Sequence, residues 1–165
     1  MKWSRSNFAV FFILPWLLAS CGFHLRNQAD IPFSSIYLQA PASSAVASDI
    51  RHIMIFGGHP ERLASSPAKA ERILEIQSEN QQMIILALTA TGLVSEYQLQ
   101  LDIKYRLIMP DGKEALPPTH IHLTRDMAYN ASQPYAYGDE EQFLYRDMQT
   151  DAAQQILRRL AMMHN

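Results

Sequence analysis

The stretch of residues 96–109, with the sequence EYQLQLDIKYRLIM, decides the predicted fold. Every second residue from Tyr97 to Met109 is apolar, and polar residues fill the positions between them as far as Arg106. Side chains along a β-strand point alternately to the two faces of a sheet, so this pattern predicts a strand with one buried and one solvated face. Burial on one face only is typical of an antiparallel sheet.

Three further strands are predicted around this one. Residues 110–112 (Pro-Asp-Gly) turn the chain, because proline presets φ and glycine allows positive φ, and a return strand is predicted over residues 119–129. Upstream, residues 72–78 and 83–89 are rich in Ile and Leu. They form either two strands of a hairpin or one long strand with a bulge. A short strand is predicted over Ile36–Gln39.

Two amphipathic helices complete the predicted elements. Ser43 or Ser44 caps the first, and the glycine pair at 57–58 ends it. The second is predicted to begin at Asp139, which together with Gln142 three residues later resembles a capping box. Apolar residues recur at helical spacing in both segments. They are Val46, Ile50, Ile53 and Met54 in the first, and Leu144, Met148, Ala152, Ile156, Leu160 and Met163 in the second.

These elements predict an α+β fold, a two-layer sandwich with two helices packed on one face of a mainly antiparallel four-stranded sheet. The 165 residues suffice for one domain with a substantial core. A net charge of −2 excludes a nucleic-acid binder that relies on bulk positive charge, and 48% hydrophobic residues argue against disorder.

The N-terminus has the pattern of a secretion signal. Lys2 and Arg5 precede an uncharged apolar run over residues 8–19, which as a helix of about 18 Å is too short to cross a hydrocarbon core of about 30 Å. We therefore expect a signal peptide over residues 1–20 and a single mature domain over residues 21–165. The mature domain carries 12 basic and 16 acidic side chains, because both basic residues of the signal are removed.

The residues that close this run, Leu18-Ala19-Ser20-Cys21, resemble the lipobox of bacterial lipoproteins. The resemblance implies that Cys21 becomes the first mature residue and carries a diacylglycerol on its sulfur. Two or more acyl chains hold a protein stably on a membrane. Residue 22 is Gly rather than Asp, which by resemblance to lipoprotein sorting signals favours the outer membrane.

No residue pattern indicates catalysis, a cofactor or a metal. His120 and His122 project from one strand face, but two imidazoles without further nearby ligands more often belong to a solvated face. The sequence contains no Gly-x-Ser-x-Gly elbow and no phosphate-binding glycine loop. Cys21 is the only cysteine, so a disulfide within the chain and a multi-cysteine zinc site are excluded. We therefore predict a protein that is not an enzyme.

The solvated face of the central strand carries the clearest binding candidates. Lys104 and Arg106 lie two residues apart there, beside Asp102. A positive pair on a sheet is suited to a phosphorylated glycolipid, although ordinary solvated charges explain the pair as well.

Several segments together resemble the LPS-assembly lipoprotein family, LptE. They are Gly22-Phe23-His24-Leu25-Arg26 after the lipobox, Ser95-Glu96-Tyr97-Gln98 at the start of the central strand, Asp139-Glu140-Glu141-Gln142 at the predicted helix start, and residues 151–160 (DAAQQILRRL). The resemblance covers essentially the whole mature chain.

The resemblance implies a two-layer sandwich that plugs the lumen of a large outer-membrane β-barrel, LptD. It implies a role in delivering lipopolysaccharide to the outer leaflet and in assembling the barrel. We then expect a lipid-anchored protein at the cell outer membrane, facing the periplasm and lying within the lumen. In the family, basic loop residues bind lipopolysaccharide; residues 90–93 contain none here. Lys104, Arg106, Lys113 and Arg125 are the candidates that remain.

Two other functions stay open on the residues alone. One is a free-standing envelope lipoprotein that binds a small ligand or another envelope protein. The other is a periplasmic hydrolase, for which the sequence offers no Ser/His pair at useful spacing. Copurification with one very large barrel distinguishes the barrel partner from the free-standing lipoprotein.

Overall fold

A computed structural model describes residues 31–130 and 134–163. In chain order the elements are β1 (Ile36–Gln39), α1 (Ala45–Phe56), β2 (Arg72–Leu88), β3 (Val94–Ile108), β4 (Glu114–Ala128) and α2 (Pro134–Ala161). Two short 3-10 turns, Pro60–Arg62 and Pro67–Lys69, lie between α1 and β2. The predicted signal peptide and Cys21 lie outside the described residues.

The four strands form one sheet in the order β1-β2-β3-β4. β1 runs parallel to β2, while β2–β3 and β3–β4 are antiparallel hairpins. β1 and β4 therefore form the two edges of the sheet. The prediction of a mainly antiparallel four-stranded sheet is confirmed.

The alternation in β3 sets which residues are buried. Its inward residues are almost fully buried, and the polar residues between them are partly exposed. The inward set is Leu99, Leu101, Ile103, Tyr105 and Leu107. These side chains cover the middle of one sheet face, against which the helices pack.

β2 is one long strand with a bulge, which settles the choice left open by its sequence. Ile76 lies opposite Tyr105 and Ser78 opposite Lys104, so Gln77 is an extra residue between them. One extra residue reverses the alternation. Glu79, opposite Ile103, therefore faces the helices although it is charged.

α1 has the capped ends that its sequence predicts. Of the two candidate serines, Ser44 is the N-cap, and its hydroxyl accepts a hydrogen bond from the Ala47 N–H at 3.1 Å. At the other end His59 N–H donates to the Met54 carbonyl at 3.1 Å, and Gly58 has φ +89°. This pattern is a Schellman motif, in which glycine takes the left-handed position.

The predicted start of α2 at Asp139 is wrong, because the helix already begins at Pro134. Proline fits the first turn of a helix, where its missing N–H would have no partner. Tyr137 in this turn packs against Tyr129, and its hydroxyl donates to the Asn130 carbonyl at 2.6 Å. These contacts with the end of β4 accompany an extra helical turn ahead of Asp139.

The predicted start of β4 at Thr119 is also wrong, because the strand begins at Glu114. Pro117 and Pro118 lie within it, next to a register shift between Tyr105 and Leu107 of β3. Proline is tolerated at a bulge on an edge strand, where its missing N–H breaks no ladder. The prolines therefore do not end the strand.

Both helices bury their apolar faces in one core on the same side of the sheet. Ile50 of α1, Met148 and Ile156 of α2, and the inward residues of β3 are each at most 1% exposed. The predicted α+β two-layer sandwich is therefore confirmed. Within the described ranges, neither helix is both long and apolar enough to span a bilayer.

Candidate functional site

The candidate site is the face of the sheet that does not pack against the helices. We call it the open face and define it by the polar outward residues in the middle of β2, β3 and β4. They are Glu75, Ser78, Asn80 and Gln82; Gln98, Gln100, Asp102, Lys104 and Arg106; and His120, His122, Thr124 and Asp126. All thirteen are polar or charged, and all are at least partly exposed.

Hydrogen bonds within β3 and between β3 and β4 hold many of these side chains in place. Gln100 Nε2 donates to Gln98 Oε1 at 3.0 Å, and Gln98 Nε2 donates to Asp126 Oδ1 at 3.0 Å. His122 Nδ1 lies 2.8 Å from Asp102 Oδ1. The centre of the open face is thus an ordered polar surface, with donors and acceptors available to a partner.

The two predicted basic residues of β3 lie together on the open face but differ in their surroundings. The Arg106 guanidinium donates to the Glu75 carboxylate and lies 3.5 Å from Glu114. The hydrogen bond with Glu75 raises the pKa of Arg106 above its usual value. Lys104 lies between Ser78 and His120, and no acidic group of the described chain lies within 4.0 Å of its ammonium. Of these two cations, Lys104 is the one whose charge is less neutralised by acidic neighbours.

The other two predicted basic residues lie elsewhere. Lys113 belongs to the turn between β3 and β4, where its ammonium lies 3.0 Å from Asp111 and its side chain is 78% exposed. Arg125 lies opposite Leu99, on the face that the helices cover. Its guanidinium donates to Asp147 of α2 at 3.1 Å. Arg125 therefore links β4 to α2 on the opposite face from Lys104.

The two histidines singled out in the sequence both lie on the open face of β4. His120 is paired with Lys104 in register, and His122 contacts Asp102. Across the described ranges, no group of three or more His, Cys, Asp or Glu side chains is arranged to hold a metal ion.

A polar cleft lies on the helix side, between the start of α1 and β2. Its volume is about 330 Å³, and Glu79 is one of the residues that line it. One oxygen of Glu79 accepts from Ser44 Oγ at 2.7 Å and from Val46 N–H at 3.3 Å, and the other accepts from Gln149 Nε2 at 3.2 Å. These bonds join β2 to both helices, so the polar lining has a structural role.

The end of the β2–β3 hairpin is exposed and apolar, which was not predicted from the sequence. Met83, Ile85, Leu86, Leu88 and Leu93 are between 43% and 61% exposed. The available signal was the absence of any charged residue from 83 to 95. From the sequence, residues 83–89 were predicted as a strand and residues 90–93 as a turn, with no functional role.

Comparison with known proteins identifies the same family. The LptE family, described as lipopolysaccharide-assembly, matches residues 33–160. The LPS-assembly lipoprotein LptE of Photorhabdus laumondii is 24% identical over 150 residues, covering 89% of this chain and 80% of its own length. The protein of the same name from Yersinia enterocolitica is 26% identical over 153 residues, covering 88% and 70%.

Solved structures share the fold. The solution structure of a lipoprotein B from Nitrosomonas europaea has a TM-score of 0.71 and 34% identity, and covers 85% of this chain and 90% of its own. Rare lipoprotein B from Shewanella oneidensis has a TM-score of 0.66 at 22% identity, and covers 77% and 93%.

The family match also bears on catalysis. Proteins of this family are lipopolysaccharide-assembly lipoproteins, which confirms the prediction of a non-enzymatic protein. The same assignment supports an outer-membrane lipoprotein that acts in lipopolysaccharide assembly. Since the match takes in residues 33–160 of the 165, the chain belongs to the LptE family.

Proposed function

We propose that this chain is a lipid-anchored outer-membrane lipoprotein, the plug and assembly partner of the lipopolysaccharide-exporting β-barrel LptD. In this proposal it helps to deliver lipopolysaccharide to the outer leaflet. The observation that carries the proposal is the open face, a sheet surface that is polar across its middle while the opposite face holds the apolar core. The lumen of a large outer-membrane barrel is polar, so a plug needs a surface of this kind.

The length of the sheet is also suited to a plug. β2 has 17 residues, which at about 3.3 Å per residue gives a strand of roughly 55 Å. A bilayer with its headgroups is about 40–45 Å thick. A domain that stands upright in a lumen would therefore extend across the membrane.

The proposed anchor is the acylated Cys21, exposed by removal of residues 1–20, with residues 21–165 as the mature domain. Nine residues separate Cys21 from Ile31, where the described chain begins. A fully extended segment of this length reaches about 35 Å. The anchor would thus permit the domain to enter a barrel while its acyl chains stay in the inner leaflet.

A photo-crosslinking residue at Gln100 tests the barrel contact. Gln100 lies at the centre of the open face, and we expect it to form an adduct that contains both this chain and LptD in intact cells. The control position is Gln154, an exposed residue of α2 in the other layer. If Gln100 never captures the barrel, the proposed orientation is wrong. If no barrel copurifies with the acylated protein either, the partnership itself is wrong.

We further propose that Lys104 and Arg106 contact the phosphates of lipopolysaccharide, with Lys113 next to them at the adjoining turn. The ammonium of Lys104 has no acidic partner within the described ranges and can form a charge-assisted hydrogen bond with a phosphate oxygen. Arg125 is the weakest of the four candidates, because Asp147 already binds its guanidinium.

The double variant Lys104→Glu/Arg106→Glu tests this contact. We expect its affinity for lipopolysaccharide in a pull-down to fall by roughly tenfold or more, because two carboxylates that repel the phosphates replace two cations that attract them. The matched control is Arg51→Glu/Lys69→Glu, which changes the net charge equally at two exposed positions outside the open face. Equal losses in both variants would show a bulk charge effect, and an unchanged affinity in a folded double variant would dismiss the pair.

A further inference from the structure

The outer side of β2 is uncovered over most of its length. β1 pairs with β2 over residues 72–75 alone, although β2 continues to Leu88. Beyond this short pairing, the described ranges contain no strand on the outer side of β2. Residues 76–88 therefore have β3 as their strand neighbour on one side and solvent on the other.

The register shows which backbone groups point outward. In an antiparallel ladder, successive residues direct their N–H and C=O groups alternately to the two sides of the strand. Tyr129 N–H donates to the Ser95 carbonyl at 2.8 Å, so Ser95 and every second residue after it point to β4. Gln100 therefore points to β2, where it pairs with Gln82. The residues of β2 that alternate with Gln82 point away from β3, and we call them the β2 edge: Glu79, Gln81, Met83 and Ile85.

The backbone groups of the β2 edge are unpaired. Among the described residues, none forms a backbone hydrogen bond with them. Gln81 is exposed, and Met83 and Ile85 are 45% and 58% exposed. The β2 edge is thus a row of donors and acceptors that another strand can reach.

The other two margins of the sheet are protected, whereas the β2 edge is not. Ala64 N–H donates to the Ile36 carbonyl of β1 at 2.9 Å, and β4 contains Pro117 and Pro118. Proteins usually protect exposed edges with prolines, charges or covering loops, because an open edge recruits other strands. Residues 80–88 (NQQMIILAL) contain no proline, no glycine and no charge. An edge of this composition is suited to pairing.

The spacing of these groups identifies the class of ligand. Donors and acceptors alternate along about 20 Å of extended chain. An extended polypeptide presents complementary groups at the same spacing, and strand addition to an open edge is a recurring mode of peptide recognition. Acyl chains contain no hydrogen-bonding groups and would leave the whole row unsatisfied.

The side chains next to the β2 edge define the composition of the incoming strand. Met83 and Ile85 lie on the helix side of the sheet, and Ile84 lies opposite Gln98 on the open side. Residues 80–95 carry no charge. Apolar side chains on an added strand would pack beside these residues, whereas a charged side chain would find no opposite charge among them.

We propose that an extended, uncharged segment of the barrel pairs with the β2 edge as a fifth strand of the sheet. This inference rests on the proposed function. The first described residues lie beside the start of β2, where Glu71 N–H donates to the Ser35 carbonyl at 3.1 Å, and the β2 edge lies farther along the strand, away from the proposed anchor. In an upright plug the β2 edge is inside the lumen, where the neighbouring polypeptide is the barrel.

A proline at position 83 tests the backbone pairing. Met83→Pro removes an N–H that points to the β2 edge and leaves the N–H groups of the β2–β3 ladder in place. We expect the amount of barrel that copurifies with the acylated protein to fall about fivefold or more, because a hydrogen bond is lost and the proline ring obstructs the incoming strand. The midpoint of urea unfolding should stay close to that of the parent, because the internal ladder is intact.

Two control variants separate strand pairing from other effects. Met83→Thr keeps the N–H and removes the apolar side chain, and it should retain copurification within about twofold. Ala128→Pro removes an outward N–H from the opposite margin of the sheet, on exposed β4, and it should also retain the barrel within about twofold.

Hydrogen exchange provides a measurement that needs no variant. The amides of the β2 edge should exchange about tenfold or more slowly in the copurified complex than in the same acylated protein without the barrel, because pairing would protect them. The amides of Gln82 and Ile84 already point to β3 and serve as the internal comparison.

The outcomes distinguish this inference from the proposed function. If the parent protein captures no barrel, both are wrong. If the parent captures the barrel, the strand pairing alone is overturned by full copurification of Met83→Pro, by equal losses in Met83→Pro and either control variant, or by unchanged exchange at the β2 edge. A dimer of the barrel-free protein that Met83→Pro dissociates would also overturn it, and would identify a second copy of the chain as the strand donor.

Discussion

Single carboxylates connect distant segments of this fold. Glu79 joins β2 to both helices, as described above, and Glu71 fixes the chain ahead of β1. One oxygen of Glu71 accepts from both the Ser34 N–H, at 2.7 Å, and the Ser34 hydroxyl, at 2.8 Å. These hydrogen bonds stabilise the ionised carboxylate and lower the pKa of Glu71 from its usual 4.5, the backbone hydrogen bond being the larger cause.

The lowered pKa of Glu71 predicts an acid-sensitive contribution to stability. Because the folded-state pKa lies below the unfolded value, the contribution is present above pH 4.5 and is lost as the pH falls through the folded pKa. Glu71→Gln should therefore lower stability at neutral pH and flatten the decline between about pH 5 and pH 3. Urea unfolding across this range measures the effect, with Glu140→Gln on exposed α2 as control. Parallel pH profiles for all three chains would contradict it.

Residue-scale features explain part of what the sequence did not predict. Gln77 adds one residue to β2 as a bulge. Nothing about a glutamine at this position predicts a bulge rather than regular pairing with β3. Glu79 then faces inward, where its carboxylate has three hydrogen-bond donors supplied by the helices. The inward orientation of Arg125 could have been predicted, because Arg125 lies two residues from both Leu123 and Met127, which face inward on the same strand.

At the scale of elements, the ends of the helices are set by local chemistry in α1 and by tertiary contacts in α2. Ser44 and the glycine pair fix α1 within its own sequence, so that its limits were predictable. The extra turn of α2 instead packs its Tyr137 against Tyr129 of the chain after β4. The start of β4 was missed for a similar reason, since only the edge position makes Pro117 and Pro118 acceptable in a strand.

Two glycine-to-alanine substitutions should have opposite effects. Gly58→Ala should destabilise the protein by about 1–2 kcal/mol, because φ of +89° is costly for a residue with a Cβ. Gly138→Ala should stabilise it by up to about 1 kcal/mol, because this glycine is helical and an added Cβ meets nothing within 4 Å. Chemical denaturation of both variants beside the parent measures the difference. Changes of the same sign would show that backbone conformation does not control these positions.

At the scale of the whole molecule, one apolar core ties both helices to the sheet. The fold class could be predicted because the alternation in β3 and the apolar faces of the two helices each require a buried layer. The polar open face followed from the same alternation. The exposure of residues 83–95 could not be predicted in this way, because a run of apolar residues has the same sequence whether or not a helix covers it.

The shared core predicts a single unfolding transition. Leu101→Ala, at a fully buried position of β3, should lower stability by about 2–5 kcal/mol through lost burial and a cavity. Far-ultraviolet circular dichroism and tyrosine fluorescence should report the same midpoint, because helices and sheet lose one core together. Leu88→Ala, at a position 57% exposed, should change stability by less than about 0.5 kcal/mol. Separate midpoints for the two probes would show that the layers unfold independently.

The proline pair in β4 has a consequence for how this protein behaves in a crowded compartment. An uncovered strand edge invites the same edge of another molecule to continue the ladder, the first step towards fibrous aggregates. Pro117 and Pro118 offer no N–H to an incoming strand, and the bulge beside them twists the edge locally. Strand addition is thereby hindered where the two prolines lie on that edge of the sheet.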